Sequence, residues 1–462
     1  MIRTGGVGAL VVLLASWAFG TGRYGGPDEP AHVLRAAAVA AGEVRGAPAP
    51  DLASGYRIVT VPARLATGDP ACFRHDARLS SACATPGAVP AGMVRAATSA
   101  GVSPPLYYAL VGLPVRVLGD PADVWWYRAV AVVLNAIVLM LAMSRLRPFG
   151  ATAVVALAAF TPAAWFLLGV VNPNGFELAL ALLAWVGVAR LHRDPPLSAA
   201  AWLWISVPVA VAVTCRPVAL MMGVAVAGVC EVLRRPGRRD RVALYGPVLA
   251  AAVLVTGWSR LVGMRVNDPR TASSGSTASA IVPAVRAVPT TVSELVASLG
   301  WLEFAAPAVA VAAWLVVVAL GISWHRPAPR TIRALVVLLL VVVVVPVMFE
   351  IAVHRTVGPI WQGRYSLPTF VGIIVLLLQR RTPLPVRAAS ALVAAAVVVE
   401  VSTYWWAIRR YAVGTHGSWW LHDPSASSAV FDPRVWLLIN VAVATTSGAI
   451  IVHSLRQPVT CA

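Results

Sequence analysis

Apolar runs of nearly membrane-spanning length recur along this chain, and they limit its fold more than any other feature. A helix needs about 20 mostly apolar residues to cross the hydrocarbon core of a bilayer. Of the 462 residues, 59% are hydrophobic and only 12% are charged, whereas soluble domains carry about 25% charged residues. We therefore predict an all-α polytopic membrane protein that forms a single transmembrane domain over residues 1–462.

Twelve of these runs are interpreted as spans, and the basic loops between them set the orientation. Short loops rich in arginine lie at 145–149, 190–195, 234–241, 325–333 and 380–387. If both termini are cytoplasmic, all of these loops are cytoplasmic too, which agrees with the positive-inside rule. Much of the net charge of +18 therefore reflects topology, and no nucleic-acid contact is predicted. The predicted spans are 7–19, 124–143, 151–171, 176–191, 197–213, a sixth that ends at 233, 242–262, 301–324, 334–353, 367–378, 388–408 and 435–453.

Residues 20–123 form the first extracytoplasmic loop in this topology, and an acidic motif lies near its start. Residues 27–32 read PDEPAH, with the carboxylates Asp28 and Glu29 directly before Pro30. Proline suits the first turn of a helix, and the dipole of that helix favours the ionised carboxylates. Charge beside a membrane is costly unless it is used. The pair is therefore either a helix cap or a functional acid pair, and the residues alone leave both interpretations open.

Two interfacial helices are predicted within this loop. The first runs from Ala31 to Ala41, with Gly42 as its stop. The second opens at Pro105 and ends near Leu118, which is too short for a span. Counting the second helix as a full span would also break the agreement with the basic loops.

The cysteines indicate one disulfide and no metal site. Cys72 and Cys83 share the first hydrophilic loop, and they are expected to pair if that loop lies in an oxidising compartment. Cys215, Cys230 and Cys461 are expected to be unpaired. No Cys/His cluster has the spacing of a zinc site, so no cofactor is predicted and a divalent metal has no support.

Polar residues on the extracytoplasmic side supply the remaining candidates. Arg216, Arg355 and Arg364 lie there, and guanidinium groups bind phosphate through two parallel hydrogen bonds. Arg364 could instead extend to lipid phosphates. Tyr107 and Tyr108 are either groove residues or interfacial anchors.

The order of the motifs resembles the GT-C superfamily of membrane glycosyltransferases. One span precedes the acidic motif, followed by PPLYY at 104–108, NPNG at 172–175 and QGRY at 362–365. The set is similar to a bacterial membrane family known only as a domain of unknown function, and the resemblance covers most of the chain. A simple turn is the alternative interpretation of residues 172–175.

This resemblance implies a GT-C-like bundle that transfers a sugar from a polyprenyl-phosphate donor, with inversion, outside the cytoplasm. In that interpretation Asp28 is the general base, and Glu29 and His32 position it or the acceptor. Arg364, Arg355 and Arg216 would bind the donor phosphate. The implied groove residues are Tyr107, Tyr108, Asn172, Asn174, Gln362 and Tyr365.

The implied partners are the lipid-linked donor, the bilayer of the cell membrane, and a glycan, lipid or protein acceptor of the envelope. Two other functions fit the same residues. A transporter or flippase of lipid-linked saccharide would use the arginines without needing the acid pair. A non-catalytic subunit of an envelope-assembly complex is the third.

Overall fold

Helices dominate the structure, a computed structural model that describes residues 2–53, 55–67, 70–85, 91–145, 160–191, 198–263, 278–323, 327–357, 360–378, 385–422 and 429–456. The helices are α1 (Ile2–Gly20), α2 (Glu29–Ala40), α3 (Leu106–Leu118), α4 (Val124–Arg145), α5 (Pro162–Leu168), α6 (Pro173–Arg190), α7 (Ala199–Cys215), α8 (Leu220–Arg234), α9 (Arg238–Leu261), α10 (Ile281–Arg286), α11 (Val288–Ala297), α12 (Ala308–Ser323), α13 (Pro329–Val357), α14 (Gly363–Leu378), α15 (Val386–Val413) and α16 (Pro433–Arg456).

The predicted class, a helical polytopic membrane protein, is confirmed. Within the described ranges, 6 helices are long and apolar enough to cross a membrane, or 7 if the bent pair α5–α6 is one span. Several predicted spans correspond to shorter apolar helices, such as Gly8–Gly20 and Ala199–Cys215. The number of twelve spans therefore stays a prediction.

The predicted span at 151–171 ends at a sharp bend, at the place where a turn to the next span was predicted. Its first part, 151–159, lies outside the described residues, and α5 then meets α6 at 115°. Asn172 caps α6, because its side chain accepts a hydrogen bond from Asn174 N. The predicted turn at 172–175 is thus already helical from Pro173, as expected for a capping asparagine followed by proline.

The first loop carries both predicted short helices and a small sheet that was not predicted. Strands β1 (Ala47–Pro48), β2 (Arg57–Pro62) and β3 (Met93–Thr98) pair antiparallel in the order β1-β2-β3. The β-branched residues of β2 favour a strand. Thr98 Oγ1 donates to Ala31 O at 2.8 Å, which attaches the sheet to α2.

Helices α2 and α3 pack closely, and the loop is closed by the predicted disulfide. A Cβ atom at Gly112 of α3 would lie 2.2 Å from Ala36 O of α2, so only glycine permits this approach. Cys72 and Cys83 form the disulfide. Cys215 and Cys230 are buried and free, and Cys461 lies outside the described residues.

Two predicted boundaries are corrected by the structure. The segment 263–299, interpreted as a loop, contains α10 and α11, and residues 264–277 lie outside the described residues. The apolar residues Val288, Val292 and Leu295 recur at helical spacing, a signal that the Ser/Thr-rich composition obscured. The following span starts at Ala308 and not at Trp301, because a two-stranded turn, β4 (Ser298–Leu299) with β5 (Phe304–Ala305), precedes it.

Candidate functional site

Asp28 stands at the start of α2 without capping it. Its backbone has a left-handed φ of 59°, and its side chain makes no capping hydrogen bond. Asp28 Oδ2 instead lies 2.6 Å from Arg364 Nη2, and 43% of the Asp28 side chain remains exposed. The carboxylate is therefore presented at the surface of the site, and the capping interpretation does not describe Asp28.

Arg364 is the second residue of α14 and is 6% exposed. Its Nη2 atom donates to Asp28, whereas Nε and Nη1 are buried and reach no acceptor among the described residues. The guanidinium carbon lies 5.4 Å from the centre of the Tyr365 ring. Arg364 therefore retains hydrogen-bonding capacity for another anion.

A second arginine, Arg216, lies against the same tyrosine. Its guanidinium carbon is 4.4 Å from the Tyr365 ring centre. Arg216 Nη1 donates to Asn174 Oδ1 and lies 3.5 Å from Glu177 Oε2. Two guanidinium groups therefore share the Tyr365 ring, and each has a carboxylate partner.

His32 lies one helical turn after Asp28 and is linked to Tyr108. His32 Nδ1 is 3.0 Å from the Tyr108 hydroxyl, and the two rings stack at 5.9 Å between centres. Burial lowers the pKa of His32 to about 3, although the Asp28 carboxylate opposes this shift. His32 is therefore neutral at physiological pH and can relay a hydrogen bond without carrying charge.

The charge state of Asp28 is set by opposing effects. Burial is the largest single effect and raises the pKa of Asp28, but the lowering effects of the neighbouring cationic groups, first among them Arg364, together outweigh it. The pKa of Asp28 consequently lies below its ordinary value. In this arrangement the carboxylate is ionised and only weakly basic.

Glu29 has a different environment from its neighbour. Arg128 Nε and Nη2 donate to Glu29 Oε1 and Oε2 at 2.7 and 2.6 Å, and both side chains are 0% exposed. The Glu29 carboxylate also accepts from Val171 N at 3.0 Å and Gly26 N at 3.3 Å. Both oxygens are thus occupied by the protein, which favours a supporting role over contact with a substrate.

The backbone before Asp28 is held from three other directions. Asn172 Nδ2 donates to Pro27 O at 2.7 Å. The Tyr411 hydroxyl donates to Gly25 O at 2.8 Å, and Trp301 Nε1 donates to Tyr24 O at 3.1 Å. Tyr411, which was predicted to lie in a loop, is on α15. These bonds explain how a segment with positive φ at Tyr24 and Asp28 keeps one conformation, since such strain requires support.

Carboxylates also fix the segment that carries Arg364. Glu350 Oε1 accepts from Ile360 N at 2.9 Å and from Trp361 N. Glu294 Oε2 accepts from Gly363 N at 2.8 Å. The Gln362 Oε1 atom beside them is buried and has no partner among the described residues.

The structure brings most of the predicted site residues together. Arg216 and Arg364 lie against the Tyr365 ring, and Arg364 bonds to Asp28. The charges of Asp28, Arg216 and Arg364 act on His32, which contacts Tyr108. Asn174 bonds to Arg216, and Asn172 bonds to the backbone before Asp28. Tyr107 is buried against Tyr108 and Phe176, at 5.4 and 6.1 Å between ring centres. The Arg355 side chain lies outside the described residues, so its predicted role is untested.

Sequence reasoning missed Arg128 and Glu177, which pair with Glu29 and Arg216. Both are charged residues inside predicted spans, at 124–143 and 176–191. An ionisable residue within a span indicates a function or a buried partner. That signal identifies both positions but not their partners.

The fold and the site together define a polytopic helical membrane protein with paired carboxylate and guanidinium groups beside a short helix. Residues 11–376 match the family described as "Predicted membrane protein (DUF2142)", and the chain belongs to this family. No curated protein matches the chain.

Two solved structures of ArnT from Cupriavidus metallidurans resemble the chain over nearly its whole length. The structure bound to undecaprenyl phosphate has 14% sequence identity and a TM-score of 0.46, covering 96% of this chain and 77% of ArnT. The apo structure has 14% identity and a TM-score of 0.47, covering 98% and 77%. A likeness at this level does not identify a function.

Proposed function

We propose that this protein is an integral-membrane glycosyltransferase that moves a sugar from a polyprenyl-phosphate donor to an envelope acceptor outside the cytoplasm. The observation that carries the proposal is the contact of Asp28 with Arg364 at 2.6 Å. It puts a half-exposed carboxylate beside a buried guanidinium that has two unused nitrogens. A base and a phosphate-binding group are thus adjacent, as transfer from a phosphate leaving group requires.

In the proposed reaction, the Asp28 carboxylate removes the proton from an acceptor hydroxyl. The hydroxyl oxygen forms a bond to the anomeric carbon while the bond from that carbon to the phosphate oxygen breaks. The polyprenyl phosphate leaves with the electron pair, and the configuration inverts. Arg364 and Arg216 stabilise the charge that develops on the phosphate, where fixed donors are most effective.

Glu29 supports the loop in this mechanism, and His32 with Tyr108 orients the acceptor beside Asp28. The neutral His32 ring and the Tyr108 hydroxyl at 3.0 Å supply hydrogen-bonding groups without a competing charge. Gln362 Oε1 is buried and bonds to none of the described residues, which suits a sugar hydroxyl.

A small cavity beside the segment that carries Arg364 has room for a short piece of the donor's isoprenoid chain, but not for the whole chain. It has a volume of about 90 Å³ and lies between α10, α11 and α13. Its walls include the apolar residues Ala284, Leu295 and Pro346, and it reaches Glu350 and Trp361. We assign the cavity to the isoprenoid units nearest the phosphate, because Trp361 in its wall belongs to the segment that leads into α14 and Arg364.

The disulfide supports an extracytoplasmic position for the site. Cys72 and Cys83 belong to the same loop segment as the acid motif, and such bonds persist in oxidising compartments. With the basic loops in the cytoplasm, this loop is on the opposite side of the membrane.

Asp28→Asn tests the proposal directly, and Asp432→Asn is its matched control. Asp432 also pairs with an arginine at 2.6 Å, and its side chain is 32% exposed. We expect Asp28→Asn to fold normally and to transfer sugar about a hundredfold more slowly or worse, with Asp432→Asn near wild type. The assay follows radiolabelled sugar from polyprenyl-phosphate donors into envelope fractions.

Two results would refute the transferase. Near-wild-type transfer by Asp28→Asn would remove Asp28 from the chemistry. Movement of the lipid-linked sugar across a proteoliposome bilayer without transfer, unaffected by Asp28→Asn, would establish the flippase in its place.

A further inference from the structure

Arg364 is a buried cation with most of its hydrogen-bonding capacity unused. Of its three nitrogens, Nη2 bonds to Asp28, while Nε and Nη1 are buried and find no acceptor in the described part of the chain. Buried donors without partners are unfavourable. An anion with several oxygens would satisfy the guanidinium better than one carboxylate oxygen does.

For Asp28, in contrast, breaking the bond to Arg364 costs little free energy. Its side chain is 43% exposed and does not cap α2, so water can solvate the carboxylate once the bond breaks. Ion pairs with this much exposure contribute little stability. Breaking this bond therefore costs the exposed Asp28 carboxylate little, whereas the buried Arg364 guanidinium still requires an anionic partner. An incoming anion can supply that partner and displace Asp28.

Arg216 is arranged differently. Its Nη1 atom is already bonded to Asn174 and lies close to Glu177, which is 1% exposed. A buried carboxylate is not easily released from the cation beside it, because the unpaired charge would stay out of water. Exchange of partners is thus favourable at Arg364 and unfavourable at Arg216.

We propose that the donor phosphate and Asp28 compete for Arg364, so that phosphate binding releases the Asp28 carboxylate to act on the acceptor. This inference rests on the proposed function and adds an order of events to it. Before the phosphate arrives, Asp28 is neutralised by Arg364 and is a weak base. After exchange, the phosphate holds the guanidinium and the carboxylate faces the acceptor hydroxyl unpaired.

Equilibrium binding of undecaprenyl phosphate to the full-length protein in nanodiscs, without acceptor, tests this competition. The variants are Asp28→Asn and Asp28→Gly, because asparagine and glycine both tolerate the positive φ at this position. We expect both to bind the lipid about fivefold more tightly than wild type, because the half-exposed Asp28 carboxylate no longer competes for Arg364. In an Arg364→Gln background the same substitutions should change affinity by less than about twofold, since the guanidinium for which Asp28 and the phosphate compete is gone.

The outcomes separate this proposal from the function on which it rests. A gain that persists in the Arg364→Gln background would mean that Asp28 repels the phosphate through space, and would overturn the competition. Unchanged or weaker binding by both Asp28 variants would also overturn it. In that case the phosphate site itself still stands if Arg364→Gln alone binds at least about tenfold more weakly than wild type. If the wild type does not bind the lipid, both proposals fail.

Discussion

The adjacent acids Asp28 and Glu29 should lose very different amounts of folding free energy when each is replaced by its neutral amide. Glu29→Gln keeps the shape of the side chain but leaves the Arg128 charge without its partner. Both side chains are 0% exposed and are joined by bonds of 2.7 and 2.6 Å. The new amide group would also point a donor at Arg128 or at the donating Val171 N.

The expected loss of folding free energy follows from the burial of each ion pair and from the number of hydrogen bonds that each substitution affects. Removing one partner of a fully buried ion pair costs about 3–5 kcal/mol of folding free energy. Arg128 has further acceptors at Ala18 O, Thr21 O and Gly22 O, at 2.6, 3.0 and 2.8 Å, and these retain the cation in its buried position. Asp28→Asn should cost less than about 1 kcal/mol, because the Asp28 side chain is 43% exposed and the new amide oxygen can still accept from the buried Arg364.

Unfolding in mixed detergent micelles with increasing SDS, followed by tryptophan fluorescence, measures both values under one set of conditions. Asp28→Asn is the internal control, since it removes the same charge one residue away. The reasoning is refuted if Glu29→Gln stays within about 1 kcal/mol of wild type. It is equally refuted if Asp28→Asn loses as much stability as Glu29→Gln.

Three further predictions follow from the site and its supporting loop. Replacing both Cys72 and Cys83 with alanine should leave a folded protein whose free energy of unfolding is about 2–3 kcal/mol lower, the value for a short closed loop. SDS titration without reductant measures this loss, and equal stability of variant and parent would contradict a structural role for the disulfide. Arg364→Lys should recover only part of the lipid-phosphate affinity lost in Arg364→Ala, because an ammonium lacks the bidentate fork. Titration of the lipid into protein in nanodiscs measures both affinities, and full recovery by lysine would mean that the positive charge alone accounts for binding. Gly112→Ala should push α3 away from Ala36 O, since the new Cβ would lie 2.2 Å from that atom, and should lower both the folding stability and the rate of sugar transfer. Wild-type values in both assays would mean that neither folding nor transfer requires the close contact of α2 and α3.

Local signals in the sequence predicted the elements around the site well. The first short helix, predicted for 31–41, runs over Glu29–Ala40, and the second is found at Leu106–Leu118. Proline at the start and glycine at the end act within one turn, so neighbouring residues suffice to predict these bounds. Helix lengths in the membrane were less predictable, because apolar composition does not show where a chain bends.

The partners in the site could not be predicted, because they are distant in the chain. Asp28 and Arg364 are 336 residues apart, and Glu29 and Arg128 are 99 apart. The sequence predicts that the two adjacent acids point in different directions, since successive helical residues differ by about 100°. It cannot predict which of them meets a buried cation, because that depends on how α4 and α14 pack around α2.

The two acid environments depend on each other physically. A left-handed φ at a residue other than glycine costs about 1 kcal/mol or more, and Asp28 adopts one with φ 59°. Glu29 on one side and the Pro27 carbonyl on the other are fixed by Arg128 and Asn172, so the strained residue between them has no freedom to relax. The buried pair thereby holds the neighbouring carboxylate at Arg364, the position from which we propose that a phosphate displaces it. We therefore expect a Glu29 variant to lose transfer because Asp28 is misplaced, and activity per folded molecule distinguishes this effect from a loss of folded protein.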